Sequence, residues 1–300
     1  MELEKTTRIE KFYEKNYKKL LLVPIIILII ALAILGFKYT TTGNFIDKDV
    51  SLTGGTSATV YTEKEVSTDY IQSSLISSFP SSDISVRKLA DLSSGRNLGY
   101  IIEVTNVNSE DLQQQLSSIL DIELTETNLS IEEIGSSLGA SFFKEMIYAL
   151  LFALLLMAIV VFVAFRKFVP SIAVISSVIL DLTTTLAIIS LFNVRLSSAG
   201  IAAFLMVLGY SIDTDILLTT RTLKRKIGTP ISRMYSAMKT GLTMTATTIG
   251  ALLIAFILTN SAILKEMFLI ILIALVIDVI STWFMNTGWL MLYLKKKNEI

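Results

Sequence analysis

Four aspartates sit inside long apolar runs of this 300-residue chain: Asp181, Asp213, Asp215 and Asp278. A charged carboxylate at the centre of a bilayer costs ~2.5–3.5 kcal/mol on insertion scales, so each such acid either has a partner or is used. The chain contains no Cys and no His. That removes thiolate nucleophiles, disulfides, Ser-His-Asp triads, zincin motifs and histidine relays, and any proton movement must run on carboxylates. No metal-binding or cofactor motif is present.

The densest stretch runs from residue 205 to 221, an apolar helix pattern that carries Asp213 and Asp215 and closes on Arg221. The two acids are two residues apart, about 200° around a helix, so they face different neighbours. Arg221 lies two turns beyond Asp213, offset by ~80°, and its long side chain could fold back as the counter-charge of Asp213. Counted at 1.5 Å per residue from the run ends at Pro170 and Arg221, Asp181 lies ~17 Å deep, Asp213 ~12 Å and Asp215 ~9 Å. On this reading Asp181, Asp213, Arg221 and Asp215 are the candidates for proton or ion coupling. Thr183, Thr184, Thr185, Thr214, Thr219 and Thr220 are polar neighbours that lower the cost of the acids. Asp278 is read as structural, and Lys265 and Glu266 as solvated residues of an outer loop.

The elements that must position these groups are membrane spans. Hydrophobic residues make up 52% of the chain. The 26 basic residues balance the 26 acidic ones, so nothing indicates a nucleic-acid partner. Residues 1–19 form a charged N-terminal segment. Residues 20–38 form a first span of about the length that crosses a ~30 Å core. The run is too long for a signal-peptide core and no small-residue cleavage site follows it, so it reads as retained.

Residues 39–144 are polar and acidic. Within them, 57–62, 84–92, 98–105 and 128–134 read as strands and 67–79 and 109–120 as helices, with a hairpin turn at 93–97. The order β-α-β-β-α-β is that of a ferredoxin-like α+β domain. Five further apolar runs follow, at 146–165, 169–191, 198–220, 242–258 and 267–294, making up a region of spans from 145 to 294, and 295–300 form a basic tail. The expected fold is a six-span α-helical membrane protein with an α+β domain inserted after its first helix.

Lys and Arg concentrate on the side holding both termini, which places the termini in the cytoplasm and residues 39–144 outside a plasma membrane. Small residues (Gly200, Ala202, Ala203 and Gly209 in one run, Gly241, Ala246, Gly250 and Ala251 in the next) suit close helix packing, and Gly209 and Gly250 suit flexing as well. Gly54 and Gly55 suit a tight turn outside the membrane, in a segment without the Lys of a phosphate loop.

Three other readings compete. The acids could be interhelical glue in an assembly subunit that couples nothing itself. A small-molecule transporter is disfavoured by the single small external domain. An intramembrane aspartyl protease is disfavoured by the absence of a GxGD pattern.

Four motifs, in order, resemble those of the SecF family of protein-export membrane subunits. Asp49-Val50-Ser51-Leu52-Thr53-Gly54-Gly55-Thr56 resembles the family's DFTGGT element. Ile134-Gly135-Ser136-Ser137-Leu138-Gly139 resembles VGPSVG. Leu180-Asp181-Leu182-Thr183-Thr184-Thr185-Leu186 resembles HDVIITL, and Leu208-Gly209-Tyr210-Ser211-Ile212 with Arg221 resembles IGYS…R. The resemblance spans residues 17–294. It implies an RND-superfamily half that pairs with a SecD-like subunit, acts beside a SecY-type channel on the translocating polypeptide, and uses the proton motive force without a cofactor. By the same resemblance, Asp181 matches the family's intramembrane Asp and Arg221 its charged residue on the fourth span. Asp213-Thr214-Asp215, Leu180 and Ser136 depart from the bacterial pattern and look like the archaeal branch.

Overall fold

The computed structural model describes residues 8–90, 96–224, 227–259 and 261–297. The chain enters as one long helix, α1 (Arg8–Thr42), which carries Pro24 within it. A single turn, α2 (Val50–Thr53), leads into the polar domain. There β1 (Gly55–Tyr61), α3 (Thr68–Ser78), β2 (Ile84–Ala90), β3 (Asn97–Val104), α4 (Ser109–Leu120) and β4 (Leu129–Ile134) follow in order. The four strands pair antiparallel in the spatial order β2-β3-β1-β4. The expected hairpin turn falls largely on residues 91–95, outside the described residues.

Period-two alternation explains the sheet. Ala58, Val60, Tyr100, Ile102 and Val104 turn one face toward Leu112, Leu116 and Leu120 of α4 and Ile71 and Leu75 of α3, and all of these are buried. The Tyr100 hydroxyl donates to the Val66 carbonyl at 2.8 Å and accepts from the Val66 N–H, which satisfies its polar end inside that core. The opposite face (Ser57, Thr59, Arg87, Glu103, Ser130, Glu132) is polar and lines a cleft above the domain-facing ends of the next helices.

Beyond the sheet come α5 (Ser136–Phe165), α6 (Phe168–Leu191), α7 (Ser198–Lys224), α8 (Pro230–Leu258) and α9 (Ala262–Ile280). From α9 the backbone continues through a π turn, Ser281–Asn286, into α10 (Thr287–Lys296). Among the described residues, five helices are long and apolar enough to cross a membrane: most of α1, then α5, α6, α7 and α8. The α9–π–α10 path is equally apolar over much of its length but carries Lys265, Glu266 and Asp278. α6 and α7 are the central helices. α1, α5 and α8 leave most of their apolar surface uncovered, as in Phe152, Val163, Ile254 and Ile29.

The two glycine-bearing motifs that flank the polar domain pack on each other. Gly54 takes φ +82°, and a Cβ there would collide with the backbone of Ser136. A Cβ on Gly139 would come within 2.5 Å of the Gly54 nitrogen. Backbone contact of this kind admits no side chain on either partner. Gly139→Ala raises the helix propensity of α5 rather than lowering it, so any loss is steric. We expect a loss of roughly 1–3 kcal/mol, read as a lower unfolding midpoint of the detergent-solubilised protein.

The polar domain is also fastened to the membrane helices along residues 47–51. The Leu196 N–H donates to the Asp47 carbonyl at 2.8 Å and the Asp49 N–H to the Leu196 carbonyl at 3.1 Å. Lys38 of α1 pairs with Asp47 at 2.7 Å and reaches the Ser190 carbonyl of α6.

Candidate functional site

The site forms where α6, α7 and the α9–π turn meet. Asp181 and Asp215 are fully buried and Asp278 is 2% exposed. Helix α6 runs antiparallel to α7, so Asp181 meets Ser211, whose hydroxyl donates to Asp181 Oδ2 at 2.6 Å. By the same register Ser177, one turn before Asp181, stands beside Asp215. Asp278 arrives from α9: Thr214 Oγ1 lies 3.1 Å from its Oδ2, and Asp181 adjoins it directly.

The π turn supplies the remaining contacts. Thr282 Oγ1 lies 3.0 Å from Asp215 Oδ1 and 3.3 Å from Asp278 Oδ1, so one hydroxyl can serve either acid. Asn286 Nδ2 donates to Asp215 Oδ1 at 2.7 Å. Single π turns occur frequently at functional sites. The result is a continuous polar chain, Asp181–Ser211, then Thr214–Asp278, then Thr282–Asp215–Asn286, set among apolar helices. The partners of the three acids are hydroxyls and an amide, with no lysine or arginine among these bonds. An array of carboxylates without a fixed counter-charge can release and regain small cations as its surroundings change.

The structure reassigns several residues expected from sequence. Asp215 faces the interior, whereas Asp213 is exposed on the flank of α7. Arg221 is not the counter-charge of Asp213. Its Nη1 donates to the Ser236 carbonyl at 2.8 Å and to Thr240 Oγ1 at 2.9 Å, both on α8, because its Cβ direction carries it across to that helix. Gly209 and Gly250 are not packing contacts within this chain, since a Cβ on either would meet nothing within 4 Å. The close approaches are instead at Gly241, against the Trp283 ring, and at Gly200, against Leu196 and Glu266.

Asp278 belongs to the acid group rather than standing apart as a structural residue. A signal for it was present in the sequence: Thr282 and Asn286 follow it at i+4 and i+8, one helical face. Glu266 is half-buried rather than solvated, and its Oε1 accepts the Ser197 N–H at 2.9 Å. Lys265, also half-buried, donates to the Ala90 carbonyl.

Outside the membrane helices, Asp49 caps α2. Its Oδ1 accepts the Ser51 N–H at 2.9 Å and the Ser51 hydroxyl, and Ser51 Oγ in turn accepts the Ser198 N–H at the start of α7. Burial pushes the Asp49 carboxyl up to about 6. The Ser51 bonds oppose the rise, nearby Glu103 adds to it and Arg87 offsets part of it; Glu266 faces the same cleft. An unfolded aspartate titrates near ~3.9, so the folded chain binds the extra proton between that value and about 6. The contribution of Asp49 to stability is therefore present at acid pH and is lost as pH rises through about 6. Unfolding midpoints of the wild type should fall across that interval relative to Asp49→Asn, which keeps the cap and removes the titration.

The family model described as "Protein export membrane protein SecD/SecF, C-terminal" matches residues 115–297. The chain is 37% identical over 286 residues to the protein-export membrane protein SecF of Methanocaldococcus jannaschii, covering 93% of this chain and 96% of the relative. It is 34% identical to the SecF of Pyrococcus furiosus over 97% of this chain and 95% of the relative. Among solved structures it resembles SecDF, a translocon-associated membrane protein from Thermus thermophilus, with TM-score 0.75 and 19% identity. That match covers 95% of this chain but 38% of the larger one. On this evidence the chain belongs to the SecF family of protein-export membrane proteins.

Proposed function

We propose that this chain works as one half of a SecDF-type assembly and couples movement of protons or another small cation to polypeptide export. The observation that carries the coupling is the hydroxyl bridging that links Asp181, Asp278 and Asp215 across three helices. Losing or gaining a charge in such a group changes the cost of burying it, and that cost drives repacking of α6, α7 and α9. In this reading the chain crosses the plasma membrane six times, with α9–π–α10 as the sixth span and both termini cytoplasmic. The polar domain, ferredoxin-like in the order and pairing of its strands, stands outside beside a SecY-type channel and the emerging polypeptide.

Pairing with a SecD-like subunit is supported by the uncovered flank of α7. Met206, Gly209, Tyr210 and Asp213 are exposed there along one face, well inside the span. A lipid-facing aspartate at that depth is costly, so a second membrane protein presenting a polar or basic group is the occupant that fits. Asp213 on this reading serves the interface rather than the internal chain of acids, and Arg221 braces α7 against α8.

The test is Asp181→Asn in a secretion assay with ion flux measured in parallel. Loss of both, with normal membrane levels and intact pairing, is the expected outcome. Wild-type secretion and flux would sink the coupling role. A variant that falls out of the complex before losing flux would favour the assembly-subunit reading.

A further inference from the structure

Around Asp215 the chain leaves more buried oxygen atoms unpaired than a proton could satisfy. Asp215 Oδ2 has no hydrogen-bond partner, and neither do Asn286 Oδ1, Ser177 Oγ and Thr219 Oγ1. All four residues are 0% exposed. They stand close together: Asn286 bonds the other Asp215 oxygen, Ser177 approaches Asp215 from α6 to the margin of hydrogen-bonding range without closing a bond, and Thr219 sits one turn along α7 on the same side. Buried polar atoms without partners are few in native proteins, and each one calls for an account. A single proton on Asp215 Oδ2 would let it donate to one neighbouring oxygen and leave the others as they are.

We propose that Asp215, with Ser177, Thr219 and Asn286, forms a binding site for a dehydrated monovalent cation, specifically Na⁺. The donor set contains only oxygens, which suits a hard cation and excludes the softer transition metals. No group of three or more acidic side chains among the described residues converges on one point, and a divalent ion would call for several carboxylates or retained water. One carboxylate with neutral hydroxyl and amide oxygens matches a single positive charge. The π turn has a definite role here, since it sets Thr282 and Asn286 against Asp215 and so brings the Asn286 amide to the site. The site shares its acids with the coupling chain proposed above and rests on that reading only for its use in export; occupancy itself can be tested without export.

The experiment is thermal unfolding of the purified, detergent-solubilised full chain, titrated with NaCl against KCl and choline chloride at constant ionic strength and fixed pH. The expected result is a saturable rise of several degrees in the midpoint with Na⁺, and none with choline. Thr219→Val and Ser177→Ala keep every carboxylate and should shift the Na⁺ titration to about tenfold higher concentration or more. Asp215→Asn should abolish the Na⁺ effect. A wild type that responds equally to all three salts overturns the site, as does a midpoint that follows pH and ignores Na⁺. Thr219→Val and Ser177→Ala proteins that titrate as the wild type also overturn it. Na⁺ binding that persists in Asp181→Asn, with export lost, separates this site from the coupling reading. Export coupling that survives the loss of Na⁺ binding in Thr219→Val or Ser177→Ala leaves the site standing and refutes its use in export.

Discussion

Asp278→Asn is expected to abolish ion-coupled export as completely as Asp181→Asn, and the double variant to lose nothing more. Asp278 stands between the two other acids: Thr214 joins it to the Ser211 end of the chain and Thr282 to Asp215. Residues in one hydrogen-bonded network do not add, and a link removed at either point breaks the same path. Asparagine preserves shape and some hydrogen bonding, so the folded protein and its pairing should survive while the titratable group is gone. The measurement is secretion and ion flux for the two single variants and the double, at matched membrane levels. Independent losses that multiply in the double variant would show that Asp278 acts outside the path. Full activity of Asp278→Asn would return it to the structural role that the sequence alone suggested.

The second large effect concerns stability outside the membrane. Glu103 on β3 is 2% exposed and is held by Arg87 of β2 and by Arg195 of the α6–α7 connection at 3.5 Å. Removing one member of a buried pair leaves uncompensated charge and costs about 3–5 kcal/mol. Arg87 retains about a third of its side-chain exposure, 35%, so part of its charge stays hydrated after the loss, and the lower end of that range applies to Glu103→Ala. The consequence reaches beyond the sheet, because Arg195 also holds Asp83 and lies next to Leu196, which hydrogen-bonds residues 47 and 49. We expect a lower unfolding midpoint together with faster amide exchange at 196–198. Glu103→Leu combined with Arg87→Met should recover much of the stability, since an apolar pair of similar volume avoids the desolvation cost. Loss confined to the sheet, with unchanged exchange at 196–198, would show that the domain and α7 are not mechanically joined here.

Much of this architecture is written in local pattern. Alternation in 57–62 and 98–105 gave strands because one sheet face must be buried, and the structure places β1 and β3 there. The runs at 169–191 and 198–220 gave helices α6 and α7 with nearly those bounds, since hydrocarbon tolerates no unpaired backbone. Gly54 and Gly55 were legible as special positions. That Gly54 packs on Gly139 was not, because the contact joins segments 85 residues apart, the difference between those two positions.

The candidate site divides the same way. From the sequence alone, Asp213 and Asp215 had to face opposite sides, since two residues turn a helix by about 200°. Which of them looks inward depends on where α6 and α9 lie, and no local signal carries that. Arg221 reaches α8 rather than an acid for the same reason: its partner was fixed by a neighbouring helix and not by spacing along its own. The π turn that brings Thr282 and Asn286 to Asp215 adds one residue to a helical register, a change of pitch that apolar periodicity does not record. Composition and hydropathy suffice to put carboxylates within long apolar helices and to leave them without histidine or cysteine. That Asp215 and Asp278 share Thr282, with Asp181 joined to them through Ser211 and Thr214 while Asp213 stands outside, follows from packing, because burial and hydrogen bonding inside the bundle are properties of several helices together.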